Sequence, residues 1–259
     1  MGNISKYKVP NLERALLVID LLAEHSEGLT QSEISSYLKL ANSSIFRITM
    51  TLLEHGYLHR NVTKHFTLTG KFLTIGHKAL HEDNLIVNAL DLMRELRDKI
   101  KETILIGTII DCEGVVLEQV LGAHPFKFSI DRGTRFSLHC SAPGKAILAF
   151  LPENECEAII SNMQFKKFNS KTIINSGLFR KELKEVRKVG YGVDRGEELT
   201  GIHCIGAPVF NKYGRPIAAI WTTGPSDRLE EDHFSEVGRE LKLYAMAISK
   251  RLGYEQNKK

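Results

Sequence analysis

Apolar residues recur at helical spacing over the first hundred positions, and short apolar runs bounded by turn residues take over afterwards. Leu12, Ala15, Leu16, Ile19 and Leu22 predict a first helix with Asn11 as its N-cap and Gly28 beyond its end. Thr30 followed three residues later by Glu33 is a capping box, and it opens a second helix that carries Ile34 and Leu38. A third helix over 42–55 turns Ile45, Ile48 and Leu52 inward, with Gly56 at the position of a left-handed C-cap. YLHRN and VTKHFTLT predict two short strands joined by a polar turn over Asn61 to Lys64.

The connector that follows, from Thr74 to Thr103, carries Leu85, Ala89, Leu92, Leu96 and Ile100 on one stripe, widened by Ile86, Leu90 and Met93. So broad an apolar arc calls for burial on more than one side, against the next domain and against either a second copy of the chain or the rest of the monomer. Beyond it, TILIGTIID, VVLEQVL, PFKFSI, HCIGAPVF and PIAAIWTTG predict strands. Pro143 opens a helix over APGKAILAFL, FRKELKEVRKVGYG predicts a solvated helix, and a closing helix runs from Leu229 to Leu252. The expected organisation is α+β: a winged helix-turn-helix over 8–73, a linker helix over 74–102 and a sensor-like domain over 103–255.

The outward side of the third helix changes this from a fold prediction into a functional one. Where Lys and Glu are usual, it presents Asn42, Ser43, Ser44, Arg47 and Thr51. Small hydroxyls, an amide and a guanidinium can approach phosphates closely and bond to base edges in a major groove. Thr30 and Gln31, at the start of the second helix, join this DNA-facing set, as do Arg60 and Lys64 on the hairpin wing. From Tyr37 to Lys71 five basic residues (Lys39, Arg47, Arg60, Lys64 and Lys71) face one acid, Glu54, a local footprint suited to a duplex. The alternative is a plain three-helix bundle with a solvated basic face. A DNA reader of this build is expected as a homodimer or dimer of dimers, with two modules roughly 34 Å apart on a palindromic site.

Composition adds bounds. The chain has 259 residues, 42% hydrophobic and 25% charged, with a net charge of +4, which is ordinary for a folded protein and only mildly basic. No apolar run is long enough to span a bilayer, and Glu and Asp interrupt the short apolar stretch near the N-terminus, so no membrane partner and no signal peptide are expected. Cys112, Cys140, Cys156 and Cys204 are widely spaced and form no CxxC pair, which points to a reduced, cytoplasmic setting. No cofactor is implied. Two other functions stay open on the residues. The dipeptides His139-Cys140 and His203-Cys204 suggest a metal or redox sensor, although neighbouring strand residues face opposite ways. Cys140 or Cys204 could serve as an enzyme nucleophile, but no base or orienting partner is evident.

Three segments in order, VPNLERALLVIDLLAE with GLTQSEISSYLKLANSSIFRITMTLLEHGYL, then LHCSAPGKAILAFLP, then GYGVDRGEELTGIHCIGAPVFNKYGRPIAAIWTTGP, resemble the IclR-type bacterial transcriptional regulators across nearly the whole chain. The resemblance implies a winged helix on DNA and a C-terminal GAF-like domain that binds a small effector. It implies that Ser141, Ala142, Pro143 and Gly144 offer backbone N–H groups at a helix start to an anionic ligand. It also implies pocket positions at Asp194, Cys204, Trp221 and Thr223, with Ile202 as an apolar wall. Departures from the pattern shift the expected ligand. Trp221 stands where relatives commonly carry a small hydroxyl residue, Pro143 lacks an N–H, and Gly196 replaces the first of two Glu while Glu197 remains. Trp221 would either shrink the pocket or offer a flat surface for stacking, and the expectation is a carboxylate other than a small 2-oxo acid, a sugar acid or an aromatic acid.

Overall fold

The computed structural model describes residues 8–79 and 85–255. Two compact units divide the chain, residues 1–83 and residues 84–259.

The first unit begins with α1 (Pro10–Ala23), α2 (Gln31–Leu38) and α3 (Asn42–Glu54). An antiparallel hairpin of β1 (Leu58–Arg60) and β2 (Phe66–Leu68) follows, then α4 (Lys71–Ala79). Its core is Val18, Leu22, Leu29, Ile34, Ile45, Ile48, Leu58 and Phe66. The capping box forms as expected: Thr30 Oγ1 accepts from the Glu33 N–H, and the Thr30 N–H donates to Glu33 Oε2 at 2.7 Å. Gly56 has φ +72°, as the C-cap pattern requires.

Two expectations for α1 are corrected. Asn11 lies inside the helix; Val9 is the N-cap and Pro10 takes the first turn, where its missing N–H costs nothing. The buried stripe runs through Val18 and Leu22, whereas Leu12, Leu16 and Leu17 are exposed. The helix is apolar around most of its girth, and this small unit has core for only one stripe.

The second unit is a six-stranded antiparallel sheet in the order β5-β4-β3-β8-β7-β6. Its strands are β3 (Thr103–Ile110), β4 (Glu113–Val120), β5 (Arg135–Phe136), β6 (Gly192–Asp194), β7 (Ile202–Phe210) and β8 (Pro216–Pro225). On one face α5 (Leu85–Ile100) and α9 (Phe234–Arg251) pack against Ile104, Ile106, Ile205, Ala207, Ala218 and Ile220. On the other lie α6 (Ala142–Leu148), α7 (Glu153–Asn162) and α8 (Ser176–Val189), around Leu138, Ala146, Leu148, Phe179 and Ala219. This sheet between two helical layers is the layout expected of a GAF-like domain.

The β7–β8 hairpin matches the expected strands and turn, with Gly214 at φ +75°. The linker helix expected over 74–102 includes residues 80–84, which lie outside the described residues; helix is described on either side, as α4 and α5. Elsewhere the sequence reading needs correction. PFKFSI is not a strand. Its backbone is held by side chains instead: the Phe128 carbonyl accepts from Thr103 Oγ1 at 2.6 Å, and the Ile130 N–H donates to Gln119 Oε1 at 3.0 Å. The expected closing helix starts at Phe234, after a single 3-10 turn over Glu231–His233.

Candidate DNA-reading surface and ligand site

The turn between α2 and α3 is locked by short-range bonds, which fixes how α3 is presented. Gln31 Nε2 donates to the Asn42 carbonyl at 3.0 Å, and Ser35 Oγ donates to the Leu40 carbonyl at 2.6 Å. Lys39, at φ 52°, makes the left-handed step out of α2. At the far end Lys71 Nζ donates to the His55 carbonyl at 2.6 Å, with its ammonium over the Tyr57 ring. A cation on the last carbonyls of α3 complements that end of the helix dipole. Lys71, counted above with the basic footprint, is therefore a helix cap.

Ile45 and Ile48 are buried, and Asn42, Ser43, Arg47 and Thr51 are exposed on the opposite side of α3. Arg47 has no partner among the described residues, so its guanidinium is free to bond outward. Three other residues of the expected DNA-facing set make bonds within this unit. Thr30 Oγ1 is engaged with Glu33, and Gln31 with Asn42, so both shape the turn. Thr51 Oγ1 donates back to the Arg47 carbonyl at 2.8 Å, which leaves its oxygen lone pairs facing out. Arg14 of α1 is a residue that the sequence reading missed. Its Nη1 lies 3.4 Å from Ser44 Oγ, and together they line a groove of about 500 Å³ between α1 and α3 that also takes in Asn11, Ser43, Arg47 and Thr51. Only the packing of α1 on α3 brings it there. On the wing Arg60 lies over the Phe66 ring, Val62 stands fully exposed at the tip, and Lys64 is exposed in the turn at φ 65°.

In the second unit the expected ligand residues converge on the α6 side of the sheet. Asp194 of β6 pairs in register with Cys204 of β7, which pairs with Thr223 of β8. The Cys204 thiol donates to Thr223 Oγ1 at 3.3 Å. Ile202 lies two residues along the same face of β7. The α6 start packs closely on these strands: a Cβ at Gly192 would lie 2.5 Å from the Ala142 carbonyl oxygen, and one at Gly206 3.2 Å from the Pro143 nitrogen.

The donors for an anion are few. Ser141 is the N-cap of α6 and already accepts from the Gly144 N–H at 3.3 Å, and Pro143 has no N–H. Trp221 occupies the centre of the site. It is 3% exposed, packed with Leu105 and Val116 and set edge-on to Phe136 at 5.5 Å. The indole fits because Gly107 has no Cβ, which would lie 3.0 Å from the ring.

Sequence reasoning noted Asp194 and Glu197 but missed Lys145, the cation beneath this site. Lys145 of α6 is wholly buried, and its ammonium donates to Glu197 Oε1, to the Val193 carbonyl at 2.8 Å and to Glu182 Oε1 at 3.4 Å. The Glu197 N–H donates to Asp194 Oδ1 at 2.7 Å. Burial raises the Asp194 carboxyl above its usual range and pushes Glu197 up to about 7, against the pull of Lys145. The folded chain thus keeps protons that the unfolded chain gives up above the ordinary carboxyl range. Its stability therefore falls as pH rises through the interval from that range to about 7.

The metal and redox expectation finds no geometry. His203 faces the other side of the sheet from Cys204, with Nδ1 on the Leu229 carbonyl and its ring against Phe234. His139 packs with Phe165 and Phe168. Among the described residues no group of three His, Cys, Asp or Glu side chains is arranged to hold a metal ion. Burial drives the Cys140 and Cys204 thiols well above their ordinary range, so neither is a thiolate nucleophile at neutral pH. No helix among the described residues is long and apolar enough to cross a membrane.

Comparison with known proteins accords with this division. Residues 11–62 match the family model described as the IclR helix-turn-helix domain, and residues 77–252 match that described as bacterial transcriptional regulator IclR, C-terminal. The HTH-type transcriptional regulator KdgR of Dickeya chrysanthemi is 31% identical over 239 residues, 92% of this chain and 78% of that protein. The HTH-type transcriptional regulator XynR of Escherichia coli is 27% identical over 253 residues, 95% of this chain and 98% of that one. The crystal structure of the Thermotoga maritima IclR superposes with a TM-score of 0.74 at 28% identity, covering 95% of this chain and 99% of that chain.

Proposed function

Because this chain belongs to the IclR family of bacterial transcriptional regulators, and is a regulator rather than an enzyme, we propose which residues read its operator and which hold its effector. The observation that carries the DNA reading is the exposed Arg47, without a partner among the described residues, beside the small polar Asn42, Ser43 and Thr51 on a recognition helix. Arg47 bonds a guanine edge, Asn42, Ser43, Ser44 and Thr51 bond neighbouring edges and phosphates, and Arg14 braces Ser44 from α1. Arg60 and Lys64 follow the backbone along the wing.

Arg47→Ala is expected to weaken operator binding by roughly 1–3 kcal/mol and to relax selectivity at one base position. Titration of the natural operator and its single-base variants by fluorescence anisotropy checks this, and an unchanged preference at every position would refute the assignment. Lys64→Ala is expected to weaken all duplexes alike and to lower the slope of log affinity against log salt by about 1. The salt series on operator and scrambled DNA decides it; a loss confined to the operator would mean base contact instead.

The second unit binds a small carboxylate metabolite, a sugar acid or aromatic acid, between the α6 start and Asp194, Cys204 and Thr223. The indole of Trp221, packed among Leu105, Val116 and Phe136, supplies an apolar aromatic wall beside that space. Binding favours one packing of the sensor unit over another and so shifts DNA affinity, by typically 1–3 kcal/mol of coupling. The protein works as a homodimer or dimer of dimers, as the exposed Leu16 and Leu17 on α1 support. A thermal-shift screen of small carboxylates tests the effector reading, since a ligand that prefers the folded state raises the melting temperature.

A further inference from the structure

Behind the proposed ligand site the sensor unit buries two carboxyl groups against one ammonium. Lys145 supplies one buried ammonium, and Asp194 and Glu197 supply two buried carboxylates joined through the Glu197 N–H. Glu197 Oε2 is buried without a hydrogen-bond partner among the described residues. Among the described residues the surrounding elements add no second cation against it. From α8 comes Glu182, part exposed; from the β6–β7 segment comes Glu198, whose carboxylate approaches the Cys140 thiol at 3.7 Å; β7 adds the Cys204 thiol. Thr172 Oγ1 donates to the Glu197 carbonyl at 2.6 Å and leaves the carboxylate untouched. His139, on the Lys145 side, is kept neutral by burial.

A carboxylate ligand beside Asp194 and Cys204 would add another negative charge to this excess, at low dielectric, where like charges repel most strongly. A bare carboxylate oxygen with no donor is the natural place for the compensating charge. We propose that the Lys145–Asp194–Glu197 corner is a proton-loading site that sets the charge its neighbour accepts: an anionic metabolite enters together with one proton, carried on Glu197. The proton comes from solvent, the corner gains no net charge, and both leave together. This rests on the reading that a carboxylate binds there. Linkage makes anion affinity rise as pH falls, by up to about tenfold per pH unit where Glu197 is otherwise ionised.

The test uses the full chain and its single tryptophan, Trp221, as a fluorescent reporter. Acetate, gluconate and benzoate are titrated at about pH 6 and about pH 8. For a responding probe, calorimetry in buffers of different ionisation heat counts protons taken up. About one proton per ligand near pH 8 and an affinity up to about tenfold higher at the lower pH are expected, with the pH dependence flattened in Glu197→Gln. Equal affinities and no proton uptake would overturn the proposal; the proton count needs no variant. Silence from all three probes would count against the carboxylate reading of the site and leave the corner to be judged on the protein alone. The wild type should then lose melting temperature from about pH 6 to about pH 8 relative to Glu197→Gln, and parallel curves, or a variant that does not fold beside a wild type flat across this range, would overturn proton loading.

Discussion

Replacing Lys145 by Met is expected to destabilise the sensor unit by about 3–5 kcal/mol, the cost of breaking a buried ion pair from one side. The side chain is wholly enclosed and its ammonium serves Glu197, Glu182 and the Val193 carbonyl at once. Met fills nearly the same volume, so the loss is electrostatic. Asp194 and Glu197 would be left in the interior without their cation, and the Val193 carbonyl without its donor. The melting temperature should fall on the order of 10 °C for a unit of this size. The same argument sets the pH dependence. Both carboxyls are already raised, Glu197 up to about 7, and losing the ammonium raises them further. The penalty should therefore shrink as the solution is acidified and both groups become neutral. Thermal unfolding followed by circular dichroism across this range decides it. A Met variant that melts with the wild type at every pH would mean that the pair contributes nothing.

Trp221→Ala should cost a similar amount, about 3–5 kcal/mol, for a different reason. The indole is 3% exposed and fills the space between Leu105, Val116 and Phe136, over glycines at 107 and 206 that leave no Cβ to close in behind it. The strands to either side are held in register through Leu105 and Gly206, so the walls cannot collapse far and a cavity should remain. An apolar cavity of that shape should accept indole itself. Added indole is expected to raise the melting temperature of the Ala variant and leave the wild type unchanged. If indole moves neither protein, the site has repacked. Because the new space adjoins Asp194, Cys204 and Thr223, the variant should also respond to a different range of carboxylates than the parent.

The parts of this protein that were legible in the sequence are those decided within a few residues of chain. Thr30 and Glu33 satisfy each other's backbone across one helical turn, Gly56 and Gly214 take positive φ in place, and Pro143 sits where its missing N–H is harmless. The alternation in β8 assigns Trp221 and Thr223 to one face without any knowledge of what that face meets, while the place of Cys204 beside them came from the family resemblance and the β7–β8 register. The hydroxyl-and-guanidinium side of α3 was visible for the same reason, since helical spacing alone separates it from Ile45 and Ile48. Local chemistry did not decide which apolar residues of α1 are buried, nor that PFKFSI runs as side-chain-tethered backbone instead of a strand. It gave no sign that Arg14 would reach Ser44 or that Lys71 would cap α3. Nor did it reveal that a lysine inside APGKAIL would meet Glu197, fifty-two positions on, beneath the proposed ligand site. Each of these turns on groups distant in sequence competing for one buried space or one unmet charge. Periodicity and capping specify the elements; only their packing determines which side chains lose water, and hence which of them are left to act.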